Sequence, residues 1–482
     1  MEKLAHRSRL RLSKPFIRAL EVVRWPETSS SRVFCATTAS FLLVVFLVGT
    51  IAPTRWIDMS TFAGVSFQML FRVSPGYPLR DEYLFNCTTT NTTLTCPANY
   101  LPPGDSAERL SHHQCPDYFR WIHEDLQPWK KKGITLEMVE SAKQFAHFRL
   151  VIVNGTAYVK QYDKAFQTRD VLTLWGVLQL LKLYPGQLPD LDLMFQSTST
   201  FDIIFPDWSF WGWPELNIKP WVSLMKDIEK GNKMTNWTDR EPYASWKGNV
   251  NTGARGKLKN CNSKKDWNAA IYDQDWVKEV AEEFKNSDLS KQCTDRYKIY
   301  IEGNAWSVSN KYILACDSMT LLVNPIFYDF FMRSLVPLKH YWPISDHPDQ
   351  ICKSIKFAVE WGNSHFDKAQ EIGQAGSKFT KEGISIENVY DYMFHLLNEY
   401  GMLFRYKPTI PPGAVELCSE KWGCGPNGLE HMYKLETMVE GPAQRKPCAM
   451  PPPYNPNALQ ALLDQNAKIK RQVEEWESKG NQ

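Results

Sequence analysis

The sequence has no Gly-x-Ser-x-Gly elbow, no Cys-x-x-Cys pair, no Cys/His cluster at zinc spacing, no internal repeat and almost no net charge. The first absence removes the local support for a serine hydrolase. The second and third favour disulfides over a bound metal as the use of the cysteines. Charge is scarce and unevenly placed. The chain carries +3 over 482 residues, yet residues 1–32 hold eight Lys/Arg against three Glu, a tail of +5. That leaves −2 for all the rest, and a body so close to neutral argues against nucleic acid as a partner. What the chain does have is length for two or three domains with sizeable cores, and 18 Trp within 13% aromatic residues. Such a share suits stacking against carbohydrate, and burial in the cores explains most of it more simply.

The run from Val33 to Ala52, "VFCATTASFLLVVFLVGTIA", contains no charged residue. As a helix at about 1.5 Å per residue it spans about 30 Å, the thickness of a hydrocarbon core. The basic excess precedes it, so the positive-inside rule predicts a cytosolic N-terminus and a lumenal body. A cleaved signal peptide is the rival; the long tail and Pro53 favour an uncleaved anchor. Ten cysteines follow the run, as do four sequons at Asn86, Asn91, Asn154 and Asn236, all compatible with a lumenal body. The expectation is a single-pass type II protein of the Golgi or endoplasmic reticulum membrane. Residues 1–32 form its cytosolic tail, 33–52 its anchor and 53–110 a Thr/Pro/Asn-rich stem.

Order begins near Cys115. "FRLVIVNGTAYVKQY" reads as a hairpin turning at Asn154-Gly155. "TRDVLTLWGVLQLLKLYPG" reads as a helix capped by Thr168 and stopped by Pro185-Gly186, and "DLDLMF" as a short strand. A second strand–helix–strand unit follows in "RYKIYIEG", "SVSNKYILA" and "SMTLLV". Two separated alternating blocks predict α/β architecture with two doubly wound domains, over 111–225 and 226–410. Residues 411–482 read as a peripheral tail ending in a charged amphipathic helix after Asn457. In such sheets ligands sit beyond the carboxyl ends of the strands; here that is "GNAWSVS", Gly303 to Ser309.

Two local patterns could carry chemistry. Asp190-Leu191-Asp192 is a D-x-D triplet of the kind that holds a divalent metal and a sugar nucleotide, but strand alternation alone puts both carboxylates on one face. "YASWKGNVNTGARGKL", Tyr243 to Leu258, sets a Gly/Asn loop and Arg255 after a strand. The loop is either a simple turn or a cradle of N–H donors and a guanidinium for an anion.

"FPDWSFWGWPELNIKPW", "DREPYASWKGN", "RYKIYIEGNAWSVSNKYILACDS", "LKHYWPI" and "IKFAVEWGNSH" together resemble glycosyltransferase family ninety. That family includes the rumi-type protein O-glucosyltransferases and the capsule-associated xylosyltransferases, and the chain looks most like its plant branch. The similarity runs from about Cys115 to Cys448. It implies a GT-B fold, with two Rossmann-like domains facing a cleft. It also implies inverting transfer of glucose or xylose from UDP-glucose or UDP-xylose to a hydroxyl of a protein or glycan, with no cofactor and no essential metal. On the resemblance, Arg255 holds the diphosphate and Asn249 is a small polar donor contact. Asn304, Ala305, Trp306, Ser307, Val308 and Ser309 form the second donor segment. The family's animal-type enzymes carry an arginine where this chain has Ser309, so part of the phosphate charge must be met elsewhere. The resemblance also implies a Cys293–Cys316 disulfide.

One departure bears on activity. After "LPDLDLMF" the family continues with an aspartate, the general base, in a Pro-containing segment. Here the chain reads "QSTST" and runs directly into "FDIIFPDW", which aligns Ser199 with the base. A serine hydroxyl without a partner base cannot accept the proton at neutral pH. Asp202 and Asp207 are the fallback candidates, and a catalytically impaired donor- or acceptor-binding homologue is the alternative to an active transferase.

Overall fold

Asn154 and Gly155 both take positive φ, 50° and 72°, and so turn the chain back within two residues. The strands on either side, β1 (Phe148–Val153) and β2 (Thr156–Gln161), pair antiparallel from Val153↔Thr156 outward. The structure, a computed structural model, describes Cys96 and residues 113–195, 203–424 and 428–480, all within one unit that begins at Pro78. Strand β3 (Leu191–Phe195) lies antiparallel on the other side of β1, and β9 (Val415–Leu417) completes the order β3-β1-β2-β9. This corrects the expectation of two Rossmann-like domains, since the first sheet is antiparallel. The tight hairpin is the cause. It inserts β1 between β2 and β3, which run parallel to each other through helix α1 (Arg169–Leu183). Thr168 does not cap that helix with its side chain; its hydroxyl donates to Glu215 Oε2 at 2.9 Å.

The second sheet is wholly parallel. Its strands are β4 (Glu241–Gly248), β5 (Ala269–Asp273), β6 (Asp295–Tyr300), β7 (Met319–Val323) and β8 (Trp342–Ile344), in the order β5-β4-β6-β7-β8. All five residues of β7 are buried, as suits a strand covered on both faces. Helices α2 (Trp221–Met234), α3 (Ser309–Ala315), α4 (Ile351–Ser364) and α5 (Phe366–Lys378) accompany it. In α4 the buried Ile351, Ile355, Ala358 and Gly362 recur on one face. A Cβ on Gly362 would come within 2.5 Å of the Tyr297 ring. The chain leaves β4 toward β5 and leaves β6 toward β7, in opposite directions across the sheet. The switch point, where open α/β sheets bind ligands, therefore lies between β4 and β6.

Blocks 111–225 and 226–410 do not close on themselves. Residues of α6 (Ile386–Gly401), Tyr392 and Leu396 among them, join Trp175 and Trp211 in the first core, and β9 of the tail joins the first sheet. Helix α3 is shared, with Tyr312 to Ala315 in the first core and its flanking strands β6 and β7 largely in the second. The last helix, α7 (Pro456–Gly480), returns to the second core through Val473.

Disulfides join Cys96–Cys418, Cys115–Cys448, Cys261–Cys352 and Cys293–Cys316, the last fastening the entry of β6 to the end of α3. Cys424 is also disulfide-bonded. Among the described residues no helix is long and apolar enough to cross a membrane. The anchor at 33–52 and the sequons at Asn86 and Asn91 lie outside the described residues. Asn154 and Asn236 are exposed.

Candidate active site

The loop after β4 and the loop after β6 meet at the switch point. Asn249 Oδ1 accepts from Asn251 N at 2.8 Å, and Val250 N donates to Asp273 Oδ1 at 3.2 Å, so the first loop is held from within. Gly253 has φ +55°, and a Cβ there would lie 2.0 Å from the Gly303 carbonyl oxygen. Only glycine permits this approach of the two backbones. It brings Arg255 Nη2 to 2.9 Å from Ser307 Oγ, with the guanidinium 5.8 Å from the Trp246 ring centroid. Arg255 Nε is buried and has no acceptor, and burial pushes the guanidinium pKa below its ordinary value.

The second loop is equally fixed. Gly303 N donates to Ala305 O at 2.9 Å, Ser307 N to the Tyr300 hydroxyl at 3.2 Å, and the Ser307 and Ser309 hydroxyls are 2.9 Å apart. Asn304 is exposed, while Val308 packs against the first core. Trp306 lies 6.3 Å from Trp208 of the first lobe, ring to ring. Arg255 and the segment from Asn304 to Ser309 thus form one surface at the carboxyl ends of neighbouring strands. What it presents is an N–H donor without an acceptor, backbone amides and hydroxyls, a set suited to an oxyanion. The Asn249 carbonyl is engaged in its own turn.

Ser199 and Asp202 lie outside the described residues. Asp207 is buried. Its Oδ2 accepts from Lys311 Nζ at 2.7 Å and its Oδ1 from Ser209 N at 2.8 Å, with the Ser209 hydroxyl also bonded to it. Lys311 is fully enclosed, and the Tyr312 hydroxyl closes the group by donating to Ser209 Oγ at 2.7 Å. The Asp207 carboxylate is therefore the counter-ion of α3, a group held in an ion pair rather than one open to an acceptor hydroxyl.

Asp329 adjoins this pair and was not singled out in the sequence. Its Oδ1 accepts from Phe330 N at 2.8 Å, whereas Oδ2 is buried without a partner. Burial, then Asp207, push its pKa up to about 7, with Lys311 opposing. A carboxyl raised in the folded state binds its proton more tightly there than in the unfolded chain. Its contribution is fully present below about pH 4 and is lost as pH rises from there through 7. Asp329→Asn keeps the carbonyl acceptor and removes the ionisation. Unfolding in denaturant should then show little change near pH 3 and a gain on the order of 4 kcal/mol at pH 8. Equal gains at both pH values would mean that the carboxyl ionises in the folded protein as it does in the unfolded chain, so that its pKa is not raised.

The D-x-D carboxylates serve the first sheet. Asp192 is buried in a two-pronged pair with Arg149, at 2.7 and 2.6 Å, and also accepts from the Tyr406 hydroxyl at 2.9 Å. Asp190 Oδ1 accepts from Asn154 N at 2.8 Å.

Comparison with known proteins bears on this arrangement. The sequence model of Glycosyl transferase family 90 matches residues 110–199 and 196–477, two stretches that overlap at 196–199. Protein O-glucosyltransferase 1 of Homo sapiens is 24% identical over 351 residues, 64% of this chain and 86% of the relative. The O-glucosyltransferase rumi homolog of Anopheles gambiae is 26% identical over 324 residues, 58% and 77% of the two chains. The O-glucosyltransferase rumi of Drosophila melanogaster is 22% identical over 336 residues, 61% and 78%.

Proposed function

The chain belongs to glycosyl transferase family 90, and from that premise we propose that it transfers a sugar from a UDP-sugar to a hydroxyl of a protein, with inversion and without an essential metal. The names of its relatives support glucose as the sugar and a protein as the acceptor; xylose and a glycan acceptor are the variants of the same reading. The observation that carries it is Arg255 against Ser307 at the switch point, with a buried N–H that has no acceptor. In this reading the guanidinium and the hydroxyls of Ser307 and Ser309 hold the diphosphate. The acceptor oxygen attacks the anomeric carbon from the opposite side, and the pair from the broken bond stays on the phosphate.

UDP should bind measurably by calorimetry without added metal, and Arg255→Ala should weaken it about 10- to 100-fold, the worth of a charge-assisted contact. A chain that binds no UDP would sink the reading.

A second reading, a donor-binding homologue with little turnover, is favoured by one observation. The family match divides at 196–199, where the family's aspartate-bearing segment would stand.

We also propose that the protein is anchored through residues 33–52 with its body in the lumen of the Golgi or endoplasmic reticulum, on the strength of the charge-free run and the disulfides. Protease added to intact vesicles should then remove only the first thirty or so residues. Digestion of the body would refute the topology.

A further inference from the structure

The loop that holds Arg255 has a hydroxyl, Ser309, where a second cation would complete the charge for a diphosphate. An unpaired cation stands across from it, on the first lobe. Arg169, the first residue of α1, has its guanidinium carbon 4.5 Å from the Trp208 ring centroid, 5.2 Å from Trp213 and 5.1 Å from Phe166. Its side chain makes no hydrogen bond or ion pair to any described residue, and its Nε is buried without an acceptor. Arg255 aside, the other half-buried or buried arginines of the described residues have carboxylate or carbonyl partners, although Arg333 Nε is also buried without an acceptor. Arg149, Arg333 and Arg445 meet carboxylates, and Arg240 and Arg296 donate to carbonyl oxygens. The acidic groups nearest Arg169 do not neutralise it. Asp207 is already paired with Lys311, while Glu215 accepts from Thr168 and has its pKa raised by burial. Trp208, whose own Nε1 is buried with no acceptor, carries the guanidinium toward Trp306 of the donor loop.

A half-buried guanidinium without a counter-ion is held more favourably once an anion joins it. Two such groups, Arg169 and Arg255, lie near the Trp208–Trp306 contact: Arg169 stacks on Trp208, and Arg255 donates to Ser307, the residue after Trp306. We propose that Arg169 is the second cation of the donor site and contacts the diphosphate of the nucleotide sugar from the first lobe. The inference rests on the UDP-sugar reading above. In the transfer step the bond from the anomeric carbon to the phosphate oxygen breaks as the acceptor oxygen bonds to that carbon. The electron pair remains on the phosphate, where Arg169 offsets its charge without giving up a proton. The acceptor's proton goes to the base. Because the two guanidinium groups come from different lobes, a diphosphate between them would also draw the lobes together.

Calorimetric titration of the full chain with UDP and with uridine tests this. Arg169→Gln should weaken UDP about tenfold or more and leave uridine unchanged, and Arg169→Lys should recover part of the loss because it keeps the charge but not the fork. Thermal unfolding of Arg169→Gln should stay close to that of the unsubstituted protein, since only the ring contacts with Phe166, Trp208 and Trp213 are lost and no hydrogen bond or ion pair to a described residue. If the unsubstituted chain binds UDP and Arg169→Gln binds it equally well, the assignment is overturned while the function stands. If Arg169→Gln weakens uridine as much as UDP, its role is structural and the assignment also fails. If the unsubstituted chain binds neither nucleotide, the UDP-sugar reading falls and takes this inference with it.

Discussion

Lys311→Met should destabilise the protein by about 3–5 kcal/mol, because it leaves the Asp207 carboxylate buried with no counter-ion. The lysine amine is fully enclosed, 2.7 Å from Asp207 Oδ2 and against the faces of Phe210 and Tyr312. Removing both charges is a different perturbation. The pair Asp207→Asn with Lys311→Met leaves an amide that still accepts from Ser209, and such replacement of a buried ion pair is often close to neutral. Equilibrium unfolding of the two single variants and the double variant gives the coupling directly. Single variants within 1 kcal/mol of the parent would mean that water reaches Asp207. The same substitution should weaken UDP binding, because α3 begins at Ser309 and carries the donor loop on its N-terminal side.

Replacing Gln196–Thr200 with the family's aspartate-bearing segment should raise sugar transfer by about 10²–10⁴-fold, the usual worth of a positioned general base. Of the fallback carboxylates, Asp207 is held by Lys311 and two bonds from Ser209, so it cannot take a proton without breaking the pair. Asp202 is then the remaining candidate near the departure. UDP affinity should stay within a factor of two on replacement, because Arg255 and Ser307 are untouched. Equal transfer rates for the original and replaced chains would show that the base lies elsewhere.

Short-range patterns made much of the molecule legible. Asn154-Gly155 specified its hairpin because both residues tolerate positive φ, and the strand–loop–helix order around Gly303 placed that loop at the carboxyl end of β6. Arg255 stood out only through the family resemblance, because the local pattern by itself left a simple turn and an anion cradle both open. What stayed hidden depends on long-range pairing. Asp207 and Lys311 are 104 positions apart, and nothing local marks either as the other's partner. Arg169 sits in an ordinary helix start, and its isolation is visible only once Trp208 and Trp213 are folded over it. The direction of the first sheet was missed for a related reason. A strand–helix–strand pattern reads the same whether or not a third strand has been inserted between the two parallel ones.

The disulfide between Cys115 and Cys448 has 333 positions between its ends. A ribosome adding about 5–20 residues per second needs roughly 20–70 s to make that interval. For most of it the first lobe lacks α6, β9 and two of its covalent closures, while Cys293 and Cys316, 23 positions apart, emerge within a few seconds of each other by the same rate. The strands of the parallel sheet and the Cys293–Cys316 bridge are therefore in place first, although they are encoded second, and α7 joins that core afterwards. The first lobe waits, open and unbridged, until Cys448 has left the ribosome. Its yield accordingly depends on whatever shields Trp175, Trp211 and their neighbours from other chains over that wait.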